Sequence, residues 1–162
     1  AVFGIHNDED SRILEILFGN PDYKYKVWGV RLLMIYVAIF VILIIFSYIA
    51  ILLLYPVNPL EMALQLMFPI LFFGNMAFML STITRSGNGT AVFMIIIGIA
   101  LMFLGKPDSF WNVLLNPFRV PDNVHPIIWE GILIKNRIFL LSASLVWMMV
   151  GLLYLQKREK FV

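Results

Sequence analysis

A few polar side chains inside long apolar stretches are the residues of this 162-residue chain that could do chemistry. They are mostly hydroxyls, which exchange hydrogen bonds and carry no charge near neutral pH. In lipid each must find a partner or water, so such groups form either a surface that a transported molecule contacts or hydrogen bonds between helices. Asn75 is the strongest candidate, because its amide stands near the middle of an apolar stretch. The candidate translocation surface consists of Asn75, Ser47, Tyr48 and Ser142, and the same stretches also carry Ser81, Thr82 and Ser144.

Catalytic and metal-binding chemistry finds little support in the sequence. The chain has no cysteine, no glycine-lysine loop of the Walker type, no His/Glu pair at metal spacing and no nucleophile elbow. His6 stands in an acidic tail, and His125 precedes a proline, where a structural role is favoured over that of a catalytic base. We therefore predict a protein that is not an enzyme itself and that needs no metal ion or cofactor of its own.

Composition indicates that the elements holding these residues are membrane spans. Hydrophobic residues make up 61% of the chain and charged residues only 14%, which is too apolar for a soluble domain of this length. The net charge of +2 is too small to indicate nucleic acid as a partner. Uncharged runs predict an all-α membrane bundle with four transmembrane helices, at 32–55, 62–84, 90–104 and 138–155. Because these runs contain no Asp, Glu, Lys, Arg or His, we expect the energy for any transport to come from a partner protein.

The connections between the runs have different characters. Prolines at 56 and 59 and the polar turn at 85–89 predict short connections between antiparallel neighbours. The connection at 105–137 is longer and aromatic, and it predicts short interfacial helices at 109–115 and 125–134 with Trp111 and Trp129 at headgroup depth. Glu61 and Gln65 are typical of a solvated helix start. Gly98 and Gly151 offer small-residue faces for close helix packing.

The basic residues favour one orientation in the membrane. Eight of the 12 basic residues then lie in the cytoplasm, and only Lys106, Arg119, Lys135 and Arg137 lie outside. This predicts that both ends of the chain are cytoplasmic and that the connection at 105–137 faces out. The predicted organisation is a cytoplasmic segment at 1–31, a transmembrane domain at 32–156 and a cytoplasmic tail at 157–162.

The segment at 11–18 has the pattern of an amphipathic surface helix. Ile13, Leu14, Leu17 and Phe18 share one helical face, whereas the charged side chains lie elsewhere. The sequence Gly-Asn-Pro at 19–21 then ends the helix. Its length is too short for a span, so we predict a helix on the cytoplasmic surface ahead of the first membrane helix.

Three motifs together resemble the permease subunits of type-2 ABC exporters. The first is Leu-Glu-Ile-Leu at 14–17 followed by Pro21, a basic stretch and Gly29. The second is the end of a span in Ser-Thr-Ile-Thr-Arg-Ser at 81–86. The third is a last span that opens with Asn136 and Arg137 and closes with a basic run at 157–160. The resemblance covers almost the whole chain.

The resemblance implies a mechanism and partners. The segment at 11–18 is similar to the coupling helix, which docks against a separate nucleotide-binding ATPase. The coupling residues that it implies are Arg12, Leu14, Glu15, Leu17 and Pro21. Two permease copies, identical or different, and two ATPase subunits would form the working unit in the bilayer of a bacterial cytoplasmic membrane. The family permease has six spans, and the four here correspond to the third through sixth, so we expect the first two to be missing from this chain.

A different class of function stays open from the residues alone. The chain could be a non-transporting membrane scaffold or assembly subunit that binds an external partner through the connection at 105–137. An intramembrane enzyme is the weakest alternative, because the predicted spans contain no acid, base or metal ligand.

Overall fold

The chain forms a bundle of four helices. The computed structural model describes residues 23–53, 58–106, 109–121 and 124–158, and the regular secondary structure in these ranges is α-helical, without a strand. The helices are α1 (Tyr23–Leu53), α2 (Pro59–Thr84), α3 (Gly87–Leu104) and α4 (Pro126–Arg158). All four are long and apolar enough to cross a membrane. The predicted membrane helix bundle is confirmed, and the chain is a multi-pass membrane protein.

The predicted cytoplasmic surface helix at 11–18 lies outside the described residues. The same holds for the coupling residues that the resemblance implies, namely Arg12, Leu14, Glu15, Leu17 and Pro21. Their roles stay predictions.

Helix α2 lies at the centre of the bundle and packs against each of the other three helices. In the apolar part of its span 44% of the residues are buried, compared with 6% for α1 and 11% for α3. Two apolar clusters hold the bundle together. One joins α1, α2 and α4 through Trp28, Leu32, Phe78 and Leu155. The other joins α2, α4 and the connection after α3 through Phe72, Met76, Val113 and Leu140.

A tight turn joins α2 and α3. Arg85 ends α2 in the left-handed conformation with φ 54°, and the Ser86 side chain caps α3 by accepting a hydrogen bond from the backbone N–H of Gly89 at 3.1 Å. The hydroxyls of Thr84 and Thr90 lie 2.8 Å apart across the turn. The Ser86 bond satisfies a backbone N–H at the start of α3, and together these contacts fix the turn between the antiparallel helices α2 and α3.

The fourth helix begins much earlier than the sequence predicts. Instead of a short helix at 125–134 and a separate span from 138, one helix of 33 residues runs from Pro126 to Arg158, about 50 Å in length. The candidate span Pro126–Leu155 therefore includes Glu130, Lys135 and Arg137. The uncharged run predicted too short a helix, because charged side chains near the end of a span do not interrupt the helix.

The rest of the connection also differs from the prediction. Residues 109–115 form successive turns, with the backbone N–H of Asn112 bonded to Ser109 at 3.0 Å. The Asn112 side chain accepts from the N–H of Leu114 and so competes with a helix. Trp111 is 58% exposed, as expected at a membrane surface, whereas Trp129 on α4 is buried. We call the end of the bundle that carries this connection the loop end.

Candidate functional site

A chain of hydrogen bonds crosses the interior of the bundle at Asn75. The Tyr36 hydroxyl on α1 donates to Asn75 Oδ1 at 2.7 Å, and Asn75 Nδ2 donates to Ser144 Oγ on α4 at 2.7 Å. The Ser144 hydroxyl in turn donates to the backbone carbonyl of Leu71 at 3.0 Å. We call this set the polar tie. It joins three helices and gives both polar atoms of the Asn75 amide a partner inside the protein.

Gly74 makes the polar tie possible. A Cβ atom at this position would lie 2.7 Å from the Tyr36 hydroxyl oxygen, so any larger residue would displace the ring from the amide. The sequence singled out Asn75, included Ser144 only among the other polar side chains of the runs, and missed Tyr36. The signal was available, because a tyrosine inside an apolar run needs a partner for its hydroxyl.

The other predicted members of the translocation surface do not gather around Asn75. Ser47 is buried on α1 about three helical turns from Tyr36, and its hydroxyl has no partner among the described residues. Tyr48 is 59% exposed, and Ser142 faces away from the bundle while Ser144 faces in. Within a single chain, the four candidates therefore do not form one continuous surface.

A second polar site lies at the loop end around Arg137. Its Nε donates to Gln65 Oε1 on α2 at 2.7 Å, and its Nη1 donates to Asn136 Oδ1 at 3.1 Å. The guanidinium carbon lies 5.1 Å from the centre of the Phe68 ring. The side chain is only 9% exposed, and Nη2 is buried without a hydrogen-bond partner among the described residues. A full positive charge is thus held among neutral groups.

Asn136 fastens the connection to α4 beside this site. It is completely buried, and its Nδ2 donates to the backbone carbonyls of Phe110 at 2.7 Å and Asn112 at 2.9 Å. Asn112 in turn donates through Nδ2 to the carbonyl of Lys106 at 3.2 Å. These bonds shape a half-open cavity of about 270 Å³, lined by Leu101, Leu104, Gly105, Lys106, Ser109, Trp111, Asn112 and Val113.

The chemistry of the loop-end site is that of binding. A guanidinium stays charged and offers planar donors that match carboxylate or phosphate oxygens. The groups that it contacts, Gln65, Asn136 and Phe68, are neither nucleophiles nor bases. Sequence reasoning placed Arg137 at a membrane surface and Gln65 at a solvated helix start, so their pairing was missed.

Comparison of the chain with known protein families, curated proteins and solved structures finds no match.

Proposed function

We propose that this chain is the transmembrane part of a permease subunit in an ATP-driven type-2 ABC exporter of a bacterial cytoplasmic membrane. The observation that carries the proposal is the order of the helices. A long α1 is followed by a short connection, a long α2, a tight turn, a shorter α3, a connection folded onto the bundle and a long α4. This is the order that the resemblance implies for the last four spans of the family permease.

The contacts of α1 give the proposal a route for coupling. ATP-driven closure of the partner ATPase would move the segment at 11–18, which precedes α1. At that end of α1, Trp28 packs with Phe78 of α2 and Leu155 of α4. Farther along, the polar tie links Tyr36 to the same two helices. A displacement of α1 would therefore be passed to α2 and α4 at two levels of the bundle.

The outward faces of α1 and α3 have room for a second permease copy as well as lipid. Few residues of their spans are buried in the single chain, and most of their exposed side chains are apolar. In the proposed exporter, two permeases pair in the membrane and the substrate passes between them. Tyr48, which is exposed on α1, would then contribute to a surface that one chain alone does not complete, whereas Ser47 is buried inside the bundle.

The connection at the loop end favours a second candidate function. Four of its apolar side chains are exposed, namely Trp111, Leu114, Phe118 and Val120. In a scaffold or assembly subunit, this surface would bind an external partner and no ATPase would be needed. Affinity purification separates the two candidates. Recovery of an ATPase with Walker motifs favours the exporter, whereas recovery of envelope proteins alone favours the scaffold.

The direct test is ATPase stimulation in a reconstituted pair of permease and ATPase. The double change Leu14→Ala, Glu15→Ala is compared with Ile127→Ala, Glu130→Ala, which removes the same kinds of side chain from exposed positions at the loop end. We expect the first variant to insert normally and to lose stimulation, and the control to keep it. Full ATPase stimulation and normal assembly of the first variant would refute the coupling role and favour the scaffold function.

A further inference from the structure

The guanidinium of Arg137 is an unusual group to find inside a membrane bundle. It is at least nine-tenths buried, and its described partners Gln65, Asn136 and Phe68 are all neutral. A charge removed from water without an opposite charge is costly, whereas a neutral amide could make the same bond to Gln65 without that cost. The charge itself therefore needs an explanation beyond joining α2 and α4.

One nitrogen of the guanidinium, Nη2, makes no hydrogen bond within the described residues. Nη2 is buried and no acceptor lies near it in the part of the chain that the structure describes, although its two N–H groups are strong donors. The ring of Phe68 covers one face of the group, and Gln65 occupies the Nε edge. What is missing is an acceptor at Nη2, and the acceptor that would also neutralise the charge is an anion.

The position of Arg137 along the bundle indicates where such an anion would come from. Arg137 lies two helical turns nearer the loop end than Ser144, about 10 Å along the axis of α4. Gln65 lies nearly three turns nearer that end than Asn75, about 15 Å along α2. Half of a hydrocarbon core is about 15 Å thick, so with the polar tie near the middle Arg137 lies in the outer third of that half and Gln65 at its boundary. Side chains on a helix lean toward its N-terminus, so the guanidinium of Arg137 extends from α4 toward the headgroups. The exposed Trp111 marks the same level.

We propose that Arg137 and Gln65 form a binding site for the phosphate of an anionic amphiphile, with Nη2 donating to a phosphate oxygen and Phe68 beside the apolar part of the ligand. Nη2 is enclosed, so the ligand reaches it when the connection that Asn136 fastens moves away from α4. The exposed carboxylates of Glu61 and Glu130 lie at the same end of the bundle, where water and salt screen them. The inference does not depend on the exporter function.

The test places a carboxylate of the protein itself beside Arg137, so that the guanidinium no longer needs an anionic ligand. In Gln65→Glu an oxygen of nearly the same shape becomes charged at the position that now accepts from Nε at 2.7 Å. The matched control is Asn58→Asp, the same amide-to-carboxylate change on the same helix at an exposed cap that Asp also fills. The full chain is purified in a neutral detergent, and retention of phosphatidylglycerol and phosphatidylcholine is compared by native mass spectrometry.

We expect the wild type and Asn58→Asp to retain phosphatidylglycerol about tenfold better than phosphatidylcholine, as one charge-assisted hydrogen bond allows. We expect Gln65→Glu to lose that preference and to unfold no more easily. Arg137→Gln should lose it too, and if that variant does not fold, Gln65→Glu decides alone. Equal retention of both lipids by the wild type, an unchanged preference in Gln65→Glu or an equal loss in Asn58→Asp would overturn the proposal.

A further arm adds inorganic phosphate at millimolar concentration to the wild type loaded with phosphatidylglycerol. Displacement of the lipid supports a site that recognises phosphate from any source. Retention of the lipid, together with its loss in Gln65→Glu, supports a site that requires the membrane-anchored headgroup.

Discussion

Replacing Gly151 by alanine is expected to force α2 and α4 apart. A Cβ atom at this position would lie 2.7 Å from two carbons of the Phe78 ring and 3.3 Å from Met79 Cα. The ring is completely buried and packs against Trp28, so it has little room to move. Met79 Cα belongs to the backbone and yields only if the helix moves.

The size of the effect follows from these distances. Carbon atoms in contact are ordinarily about 3.5–4.0 Å apart, so the new methyl group would overlap the ring by about 0.8–1.3 Å. Overpacking of this kind costs about 1–3 kcal/mol. Alanine also favours the helix over glycine by about 1 kcal/mol, which would mask part of that cost. Gly98 removes this ambiguity, because a Cβ atom there would meet nothing within 4 Å.

The assay compares the reversible unfolding of Gly151→Ala and Gly98→Ala in mixed micelles, monitored by far-ultraviolet circular dichroism. The helix-propensity gain is common to both variants, so we expect Gly151→Ala to be less stable than Gly98→Ala by about 1–3 kcal/mol. Adding Phe78→Leu to Gly151→Ala should cost less than it does in the wild type, because the two side chains overlap. Equal stability of the two alanine variants would refute the close contact.

Three further predictions concern the polar tie, the connection and the α2–α3 turn. Tyr36→Phe leaves Asn75 Oδ1 without its donor. In the same assay it is expected to lower the free energy of unfolding by about 0.6 kcal/mol, and by no more than about 1.7 kcal/mol. No change would mean that the hydroxyl is not bonded. Asn136→Leu removes both bonds to the connection, so hydrogen exchange at 109–121 should accelerate while that of α2 does not; unchanged exchange would contradict this. Arg85→Val places a β-branched residue at φ 54° and should lower stability by about 1–2 kcal/mol relative to Arg85→Gly, and equal values would argue against the left-handed turn.

The first three helices were predictable because their apolar runs are uninterrupted and bounded by Pro, Gly or polar turns. The true starts of α2 and α3 lie three residues earlier than predicted, since a helix begins at its cap and not at its first apolar residue. Asn58 and Ser86 are such caps, and both precede polar or small residues that the hydropathy pattern leaves out. Helix α1 is already helical at Tyr23, nine residues before the predicted start, because the aromatic and basic residues ahead of the apolar run also join the helix. The start of α4 at Pro126 was not predictable by the same rule, because Glu130 and Lys135 lie within the helix and break the uncharged run.

The candidate site was predictable at one residue and not at its partners. An amide near the middle of an apolar run must be paired, which singled out Asn75, but the sequence contains no signal that joins it to Tyr36 and Ser144. Arg137 was missed for a related reason. A cation beside a span ordinarily marks a membrane surface, and only the packing against Phe68 and Gln65 reveals that this one is buried.

The polar tie also places a demand on biosynthesis. Asn75 is made after Tyr36 but 69 residues before Ser144. At about 5–20 residues per second, the ribosome needs roughly 3–14 s to supply that second partner. During this interval α2 has left the ribosome with an amide donor that nothing in the nascent chain yet satisfies. We therefore expect α2 to stay beside water or a polar surface of the insertion machinery until α4 arrives, with release of the completed bundle into lipid as the last step.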